Sequence, residues 1–264
     1  MREINTEELK KIQVEILDVM SQFCEKHGIQ YWLDWGTLLG AIRHKGYIPW
    51  DDDVDTGMLR KDYDIFMKLF NEENDRYKVY SVENDPSYSF PFAKIIDTQT
   101  VLYEPDEHGY KSAVYVDLFV YDNAPEDEEE VRRMFQRRDF LLKMRSLQWR
   151  HRPSGNVLRR ALIYMANVPM RLIPTGYFEK KIIQNARKYQ DTETGKIGNF
   201  TDSYTVTADK SIFTDFIYVE FEGKKYRAPA RYDEWLHAAY GDYMQLPPVE
   251  KRVSRHSFNA YYLD

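Results

Sequence analysis

The residues best suited to chemistry lie in one acidic run. Positions 51–55 read Asp-Asp-Asp-Val-Asp, which places four carboxylates within five residues. Like charges this close repel one another, so a folded protein that keeps them together needs a positive group among them. Carboxylate oxygens are the ligands that Mg²⁺ and Mn²⁺ prefer. We therefore expect a divalent cation at Asp53 and Asp55, although a solvated acidic turn would carry the same residues.

The spacing of the acidic residues has the period of a β-strand. Alternate side chains of a strand share one face. Asp51, Asp53 and Asp55 are therefore expected to point the same way, toward the cation. Asp52 is expected on the opposite face, and we predict that it is dispensable.

A further carboxylate, Asp117, lies in the apolar stretch 113–120, which reads Ala-Val-Tyr-Val-Asp-Leu-Phe-Val. Such a run predicts a buried strand. A carboxylate buried without a partner is costly, so Asp117 needs one. The metal ion expected at Asp53 and Asp55 is one such partner, and a nearby loop that Asp117 caps is the alternative.

A phosphate-binding turn is predicted just before the acidic run. Gly36 and Thr37 follow a predicted strand, 29–35, and precede a short predicted helix, 38–43. The free N–H groups and the dipole at the start of a helix bind phosphate. A phosphate site beside clustered carboxylates is typical of phosphoryl or nucleotidyl transfer, in which one carboxylate accepts the proton of the attacking hydroxyl.

Three consecutive side chains between this turn and the acidic run carry or can carry positive charge. They are Arg43, His44 and Lys45. Cationic groups beside a phosphate site can hold a diphosphate through charge-assisted hydrogen bonds. Simple charge pairing with Asp51 and Asp52 is the alternative.

The hydrophobic pattern of the whole chain predicts an α+β protein. Apolar residues at spacings of three and four predict helices, and short apolar or alternating runs predict strands. The predicted helices are 6–26, 38–43, 61–71, 126–149, 156–169, 176–191 and 232–240. The predicted strands are 29–35, 54–58, 77–82, 92–97, 99–103, 113–120 and 216–226, the last with a turn at Glu222-Gly223. At 264 residues we expect one domain, with a core at 1–125 and a helical, basic extension at 126–264.

The charge distribution is uneven although the net charge is only −6. Residues 132–181 contain 13 Lys and Arg against 2 Asp and Glu. This excess predicts an anionic partner for the segment, unless the charges only solvate helix faces. Cys24 is the only cysteine, so no internal disulfide is expected. No signal peptide, membrane span or nucleic-acid-binding motif is evident, and we expect a cytoplasmic protein.

Several segments together resemble the LicD family of bacterial phosphocholine transferases, which is related to the fukutin-type ribitol phosphate transferases. The longest is 31–55, YWLDWGTLLGAIRHKGYIPWDDDVD. The others are MLRKDY at 58–63, PFAKI at 91–95, VDLF at 116–119 and YGDYMQLPP at 240–248, followed by Arg252 and His256. The segment 127–207 carries little that resembles the family.

The resemblance implies a nucleotidyltransferase-like fold with a mixed sheet core and flanking helices. It implies that Asp53 and Asp55 are the metal pair and that Asp117 is the third carboxylate. Asp51 matches an acidic position that the fukutin-type enzymes use. One departure, Val120-Tyr121 in place of the usual Pro-Leu, falls where the acceptor pocket is expected.

The resemblance also implies a reaction. A Mg²⁺-dependent or Mn²⁺-dependent enzyme would transfer phosphocholine from CDP-choline to a sugar hydroxyl of a cell-surface glycan or teichoic acid precursor, releasing CMP. The segment 126–264 would complete the acceptor side. Transfer of ethanolamine, glycerol or ribitol phosphate from its CDP donor, and true nucleotidyl transfer, remain alternatives, as does a non-catalytic glycan-binding or nucleotide-binding module.

Other residues are candidates for contacts with the donor. A quaternary ammonium cannot donate hydrogen bonds and is held by aromatic faces, for which Tyr47 and Trp50 are our candidates, with core packing as the alternative. Lys94 is expected to meet a donor phosphate or to pair with Asp97 or a surface carboxylate. Arg252 and His256 are expected to approach the donor or the acceptor from the C-terminal part of the chain.

The segment 156–173 combines many apolar residues with three arginines, at positions 159, 160 and 171. This composition favours a helix that lies on an anionic membrane surface. A helix buried in a bundle is the alternative. Membrane contact would suit an acceptor glycan that is attached to a lipid, and it would place the protein at the inner face of the cell membrane.

Overall fold

Seven α-helices and twelve β-strands form within the residues that the computed structural model describes, 1–103, 112–149, 156–170, 172–254 and 259–263. The helices are α1 (Thr6–His27), α2 (Trp35–His44), α3 (Arg60–Glu73), α4 (Glu128–Trp149), α5 (Val157–Met170), α6 (Tyr177–Ala186) and α7 (Tyr232–Tyr240). The strands are β1 (Arg2–Ile4), β2 (Trp32–Leu33), β3 (Asp55–Leu59), β4 (Tyr77–Tyr80), β5 (Ala93–Asp97), β6 (Thr100–Tyr103), β7 (Tyr115–Ala124), β8 (Lys196–Gly198), β9 (Thr207–Asp209), β10 (Phe216–Phe221), β11 (Lys224–Pro229) and β12 (Asn259–Tyr262).

A mixed sheet of seven strands forms the centre of the fold. Five strands follow the order β2-β3-β7-β5-β4, while β8 pairs with the end of β7 and β9 pairs with β8. Only β3 and β7 run parallel to each other; the other pairs in this sheet are antiparallel. A second sheet has the order β1-β12-β6, and β10 and β11 form a separate hairpin. The predicted α+β class is confirmed.

The register of the central sheet brings charged residues together. Asp55 on β3 lies directly beside Asp117 on β7. On the other side of β7, Lys94 on β5 is the partner of Asp117. Side chains that are register partners project from the same face of a sheet. Strand pairing alone therefore places two carboxylates and one ammonium in a row on one face.

The predicted strand through the acidic run is wrong in one respect. Strand β3 begins at Asp55, and residues 51–54 form a connecting loop. The backbone of this loop is bound elsewhere, since the carbonyl of Asp52 accepts a hydrogen bond from Gln13 Nε2 at 2.9 Å and the N–H of Asp51 donates to Ile48 O at 2.8 Å. The alternation predicted for residues 51–55 therefore does not exist, and Asp52 does not point to an opposite strand face.

The start of α2 also differs from the prediction. The helix begins at Trp35 instead of 38, because the carboxylate of Asp34 accepts a hydrogen bond from Trp35 N at 2.9 Å and caps the helix there. Gly36 and Thr37 therefore lie in the first turn of α2. The strand predicted at 29–35 contracts to Trp32–Leu33 for the same reason.

The second half of the chain is helical, as predicted, as far as Ala186, and α7 confirms the helix predicted at 232–240. Five strands also lie beyond Ala186, of which the prediction contained only the hairpin at Glu222-Gly223. Strand β8 pairs with β7 and β9, and β12 pairs with both β1 and β6. Strands β8, β9 and β12 are therefore joined to sheets that begin in the first half, whereas β10 and β11 form their own hairpin. Three-residue strands such as β8 and β9 are too short to give a periodic signal.

A cluster of buried aromatic rings supports the edge of the central sheet at β2. Trp32 packs against Phe213 at 4.6 Å between ring centroids, and Tyr121 packs against Trp235 at 5.8 Å. The indole of Trp32 also lies against Gly57, where a Cβ atom would come within 2.5 Å of the ring. Only glycine fits at position 57, because any side chain would clash with the indole. This close contact fixes the position of β2 on β3.

Candidate active site

Three carboxylates converge where β3 and β7 meet. One oxygen of each of Asp53, Asp55 and Asp117 lies within 4.8 Å of the others, with Asp55 and Asp117 buried and Asp53 half-buried. Oxygens of Asp51, Asp52 and Asp53 form a second group that meets the same distance limit. The structure thus brings together the three residues expected to bind metal and places Asp51 and Asp52 next to them.

Burial and mutual repulsion disfavour three negative charges in this cluster. The pKa of Asp55 is raised well above its usual value, first by burial and then by the charges of Asp53 and Asp117. A divalent cation among these oxygens would offset both the lost hydration and the repulsion. The donor set consists of carboxylates alone, which suits a hard cation such as Mg²⁺ or Mn²⁺. The residues present therefore fit the metal that the sequence predicts.

Lys94 brings a positive charge of the protein itself to the cluster. Its Nζ lies 3.4 Å from Asp117 Oδ1, and the side chain is only 5% exposed. The ammonium also lies over the rings of Tyr115, Phe90 and Phe92, at 3.1, 4.6 and 5.8 Å from their centroids. The expected pairing of Lys94 with Asp97 or a surface carboxylate is wrong, since Lys94 pairs with the buried Asp117 and Asp97 pairs with Arg76 at 2.7 Å. A contact between Lys94 and a donor phosphate stays a prediction. Because aromatic faces attract cations, the rings stabilise the ammonium in this buried position.

The first turn of α2 is built against the acidic cluster. A Cβ atom on Gly36 would come within 2.6 Å of Asp51 Oδ2 and 3.8 Å of Asp55 Oδ2. The buried hydroxyl of Thr37 accepts a hydrogen bond from the backbone N–H of Asp55 at 2.8 Å. Gly36 therefore leaves room for the Asp51 carboxylate, and Thr37 fixes the point where β3 begins.

A buried carboxylate that the sequence reasoning missed supports this turn. Asp34 is fully buried and accepts hydrogen bonds from Trp35 N at 2.9 Å, Tyr121 Oη at 2.6 Å and Trp235 Nε1 at 2.9 Å. Burial raises the pKa of Asp34 to about 6, with hydrogen bonds acting in the opposite direction. Trp35 itself has φ 39°, in the left-handed region. An Asp between an apolar strand and a helix is a helix-cap signal that could have identified Asp34.

The three side chains at the end of α2 that carry or can carry positive charge make different contacts. Arg43 donates through Nη1 to the carbonyl of Tyr243 at 2.5 Å and through Nε to His44 Nε2 at 3.0 Å. The pKa of His44 is lowered, first by burial and then by the charge of Arg43. Lys45 is exposed and ends the helix at φ 64°. Arg43 thus ties α2 to the C-terminal part of the chain, and its diphosphate role stays a prediction.

The two predicted choline contacts already face cations of the protein. Lys10 Nζ lies 4.4 Å from the centroid of the Tyr47 ring, whose hydroxyl donates to Gln13 Oε1 at 2.9 Å. The guanidinium of Arg252 lies 5.6 Å from the centroid of Trp50. His256 lies outside the described residues. A choline group would therefore have to share the Tyr47 and Trp50 rings with Lys10 and Arg252.

Comparison with known proteins gives two kinds of match. The family described as LicD/FKTN/FKRP, nucleotidyltransferase domain, matches residues 28–145. The chain is also 32% identical over 271 residues to the lipopolysaccharide cholinephosphotransferase LicD of Haemophilus influenzae, with 100% of both chains covered. This chain belongs to the LicD family. It is 55% identical over 38 residues to the human ribitol 5-phosphate transferase FKRP, over 14% of this chain and 8% of FKRP.

Membership of the LicD family makes the chain a member of a transferase family and confirms the resemblance seen in the sequence. The LicD match at 28–145 contains the first turn of α2, all the clustered carboxylates and Lys94. The aromatic residues of α7 and of the loop before β9 lie beyond it. The acidic cluster therefore belongs to the part of the chain that the family shares.

Replacing Asp55 with Asn should flatten the pH dependence of stability in metal-free protein. The folded pKa of Asp55 lies above about 3.9, the ordinary value for Asp, so the folded state keeps a proton that the unfolded state loses. Stability is therefore expected to fall as pH rises from about 4 through the folded-state pKa. Deprotonation of Asp34 adds a loss of stability between about pH 4 and about pH 6 in both proteins.

Urea denaturation in EDTA at several pH values measures this effect. Wild type should lose more stability than Asp55→Asn between pH 4 and neutrality, and the variant should be the more stable protein at pH 7. Asp191→Asn, at an exposed position, is the control and should follow wild type. An Asp55→Asn protein with the same pH slope as wild type, or with lower stability at pH 7, would contradict the repulsion.

Proposed function

We propose that this chain transfers phosphocholine from CDP-choline to a sugar hydroxyl of a cell-surface glycan or teichoic acid precursor and releases CMP. The full-length identity to the lipopolysaccharide cholinephosphotransferase LicD carries this proposal. The acidic cluster supports it, because phosphoryl transfer needs negative charge on the phosphates to be offset and a group that accepts a proton.

The proposed reaction is a single displacement at the phosphorus that carries choline. The acceptor oxygen forms a bond to this phosphorus while the bond from phosphorus to the oxygen bridging to CMP breaks. CMP leaves with the electron pair, and the hydroxyl proton passes to a carboxylate of the protein. The products are the phosphocholine ester of the glycan and CMP.

The metal site of this proposal consists of Asp53, Asp55 and Asp117. A bound Mg²⁺ or Mn²⁺ would offset the charge of the donor phosphates. Lys94 holds the Asp117 carboxylate from the side of β5, with Nζ 3.4 Å from Oδ1. We assign proton acceptance to Asp51, because it lies against the first turn of α2, beside the three metal-binding residues and outside their group.

The phosphate seat of this proposal is the first turn of α2. Gly36 leaves the space beside the backbone to the Asp51 carboxylate, and the start of the helix provides N–H groups and a positive dipole end for the donor phosphate. Arg43, His44 and Lys45 extend from the far end of the same helix, and we propose that they line the path of the diphosphate.

A second candidate is transfer of another alcohol phosphate from its CDP donor. The 55% identity to the ribitol 5-phosphate transferase FKRP favours ribitol phosphate within this group, although it covers only 38 residues. Ethanolamine and glycerol phosphates are chemically analogous. All of these reactions release CMP, whereas true nucleotidyl transfer releases pyrophosphate, so the leaving group separates the two classes.

A donor screen tests the proposed function. The protein is incubated with Mg²⁺, a glycan acceptor and one donor at a time, either a CDP-alcohol or CTP, and CMP and pyrophosphate are both measured. CMP release should be fastest with CDP-choline. Release of pyrophosphate, or a clear preference for CDP-ribitol, would contradict the choline assignment.

Two neighbouring carboxylates provide a matched pair of variants for the same assay. Asp53→Asn removes a metal ligand and should lower kcat/KM at least about 100-fold, the scale of losing one group that stabilises transition-state charge. Asp52→Asn should stay close to wild type, because Asp52 belongs to the second acidic group and its Oδ2 accepts a hydrogen bond from Ser254 at 2.7 Å. Near-normal turnover by Asp53→Asn would show that the metal assignment is wrong.

We also propose that α5 lies on an anionic membrane surface. Five of its large apolar side chains are 55–82% exposed and share one face of the helix by their spacing. They are Val157, Leu158, Tyr164, Met165 and Val168. The segment 132–181, which contains α5, carries 13 Lys and Arg against 2 Asp and Glu. An anionic bilayer satisfies both the apolar face and the charge, and it would place the protein at the inner face of the cell membrane.

The described part of the chain has no helix long and apolar enough to cross a membrane. Contact through α5 would therefore be peripheral. Such contact would bring the acidic cluster toward a lipid-linked acceptor, which is the class of acceptor that we propose.

Co-sedimentation with vesicles of phosphatidylglycerol and phosphatidylcholine tests the membrane surface. Wild type should bind at low salt and lose binding as salt increases. The double variant Leu158→Glu, Met165→Glu should bind at least about tenfold more weakly, because it places two charges in the apolar face. Val249→Glu, at another exposed apolar position, is the control. Failure of wild type to bind at low salt would rule out the membrane surface.

A further inference from the structure

Three aromatic rings meet beside the first turn of α2. Tyr204 stacks on Trp35, with ring centroids 4.6 Å apart and planes at 26°. Tyr240 stands almost perpendicular to Trp35, at 6.4 Å and 86°. Trp35 is only 4% exposed, whereas Tyr204 and Tyr240 are 44% and 40% exposed. Trp35 also packs against Trp235, at 5.3 Å and 60°, so it supports the two tyrosines from the buried side. We call the three rings the aromatic corner, in which only Tyr204 and Tyr240 are open to solvent.

The aromatic corner adjoins the acidic cluster. Trp35 precedes Gly36, whose Cβ position lies 2.6 Å from Asp51 Oδ2 and 3.8 Å from Asp55 Oδ2. The pKa of Tyr240 is raised well above its usual value, first by partial burial and then by the charge of Asp55. A group bound in the corner would therefore lie next to the carboxylates that serve the phosphates, in a negative potential.

A buried arginine on α4 fixes the loop that carries Tyr204. Arg138 is fully buried on α4 and donates hydrogen bonds to the carbonyls of Tyr204 at 2.6 Å and Ser203 at 3.2 Å, and to Thr205 Oγ1 at 2.9 Å. Burying a charged side chain is costly unless its donors are satisfied. Here they are satisfied by the loop that presents Tyr204 and by Asp139, whose Oδ1 accepts from Nε at 2.9 Å and from Nη2 at 2.7 Å, so the exposed ring sits on a rigid support.

Trp35 carries two further signs of a built site. Its φ of 39° is unfavourable for a residue with a side chain, and such strain is kept where the surroundings enforce it. Its indole Nε1 is buried and has no hydrogen-bond acceptor among the described residues. An unpaired buried N–H is uncommon and points to a ligand or water that completes the site.

We infer that Tyr204 and Tyr240, supported by the buried Trp35 ring, bind the quaternary ammonium group of the donor and so select choline among the alcohols. This inference rests on the proposed function and names a part of its site. A trimethylammonium group has no N–H to donate and is held by the faces of aromatic rings. The Tyr204 and Tyr240 planes lie at 26° and 86° to Trp35 and are therefore steeply inclined to each other. Two inclined rings can contact a rounded cation on two sides, whereas a flat cytosine would stack on one face. The nearby carboxylates add attraction for a cation.

Isothermal titration with three probes in the presence of Mg²⁺ tests the inference. The probes are phosphocholine, its uncharged carbon analogue 3,3-dimethylbutyl phosphate, and CMP. Wild type should bind phosphocholine more tightly than the analogue, because both have the same shape and only one carries the ammonium charge. Equal affinity for the two, or no binding of phosphocholine at millimolar concentrations, overturns the inference.

Variants of the two exposed rings decide which part of the donor they hold. Tyr204→Ala and Tyr240→Ala should each weaken phosphocholine binding about 3- to 30-fold, the range of one aromatic face for a cation, and leave CMP affinity within about twofold. The phenylalanine variants should bind like wild type, since the face is kept. Tyr218→Ala, at an exposed tyrosine on β10, is the control. Loss of CMP affinity in the alanine variants assigns the corner to cytosine and overturns the inference.

Arg138→Lys separates positioning from direct contact. The variant keeps the charge but loses the planar fork that holds the 203–205 loop. It should reproduce the phosphocholine loss of Tyr204→Ala while CMP affinity is unchanged. If the ratio of the phosphocholine affinity to the CMP affinity is unchanged, Arg138 has only a structural role. CMP release from CDP-choline by wild type tests the proposed function separately, so its absence cannot be mistaken for failure of the aromatic corner.

Discussion

The parallel pairing of β3 with β7 is the constraint on which the site depends. Its register places Asp55 directly beside Asp117, both buried, and the loop before β3 adds Asp53. Hydrogen bonds of the sheet thus hold together charges that would otherwise separate. The raised pKa of Asp55, caused first by burial and then by the neighbouring charges, reflects that cost, and a divalent cation would offset it. The fold and the proposed chemistry therefore share one electrostatic requirement.

The surrounding structure holds this arrangement from three sides. Lys94 comes from β5 and offsets part of the charge of Asp117. The hydroxyl of Thr37 binds the first N–H of β3, and Asp34 caps α2 while accepting hydrogen bonds from two other aromatic side chains. Apart from the cap of Asp34 on Trp35, these contacts join residues that are distant in the chain, so the cluster has little freedom to spread. Preorganised charge of this kind is what phosphoryl transfer requires.

The sequence predicted the residues of the site better than their arrangement. The acidic spacing and the apolar strand around Asp117 were enough to associate Asp53, Asp55 and Asp117, and a Gly before the acidic run was enough to locate the start of α2 within three residues. The β3–β7 register could not be predicted, because it depends on long-range pairing. The loop with Tyr204 has no periodic pattern, and its position is set by a buried arginine on a distant helix.

Anomalous diffraction from crystals grown with Mn²⁺ tests the central claim, that the acidic cluster binds a divalent cation. The peak should lie among Asp53, Asp55 and Asp117, with metal–oxygen distances of about 2.1 Å, as expected for a small hard cation. The same crystals show whether Mn²⁺ binds instead at the second acidic group, Asp51 to Asp53. A Mn²⁺ peak confined to that second group, or none at the carboxylates of β3 and β7, would contradict the account.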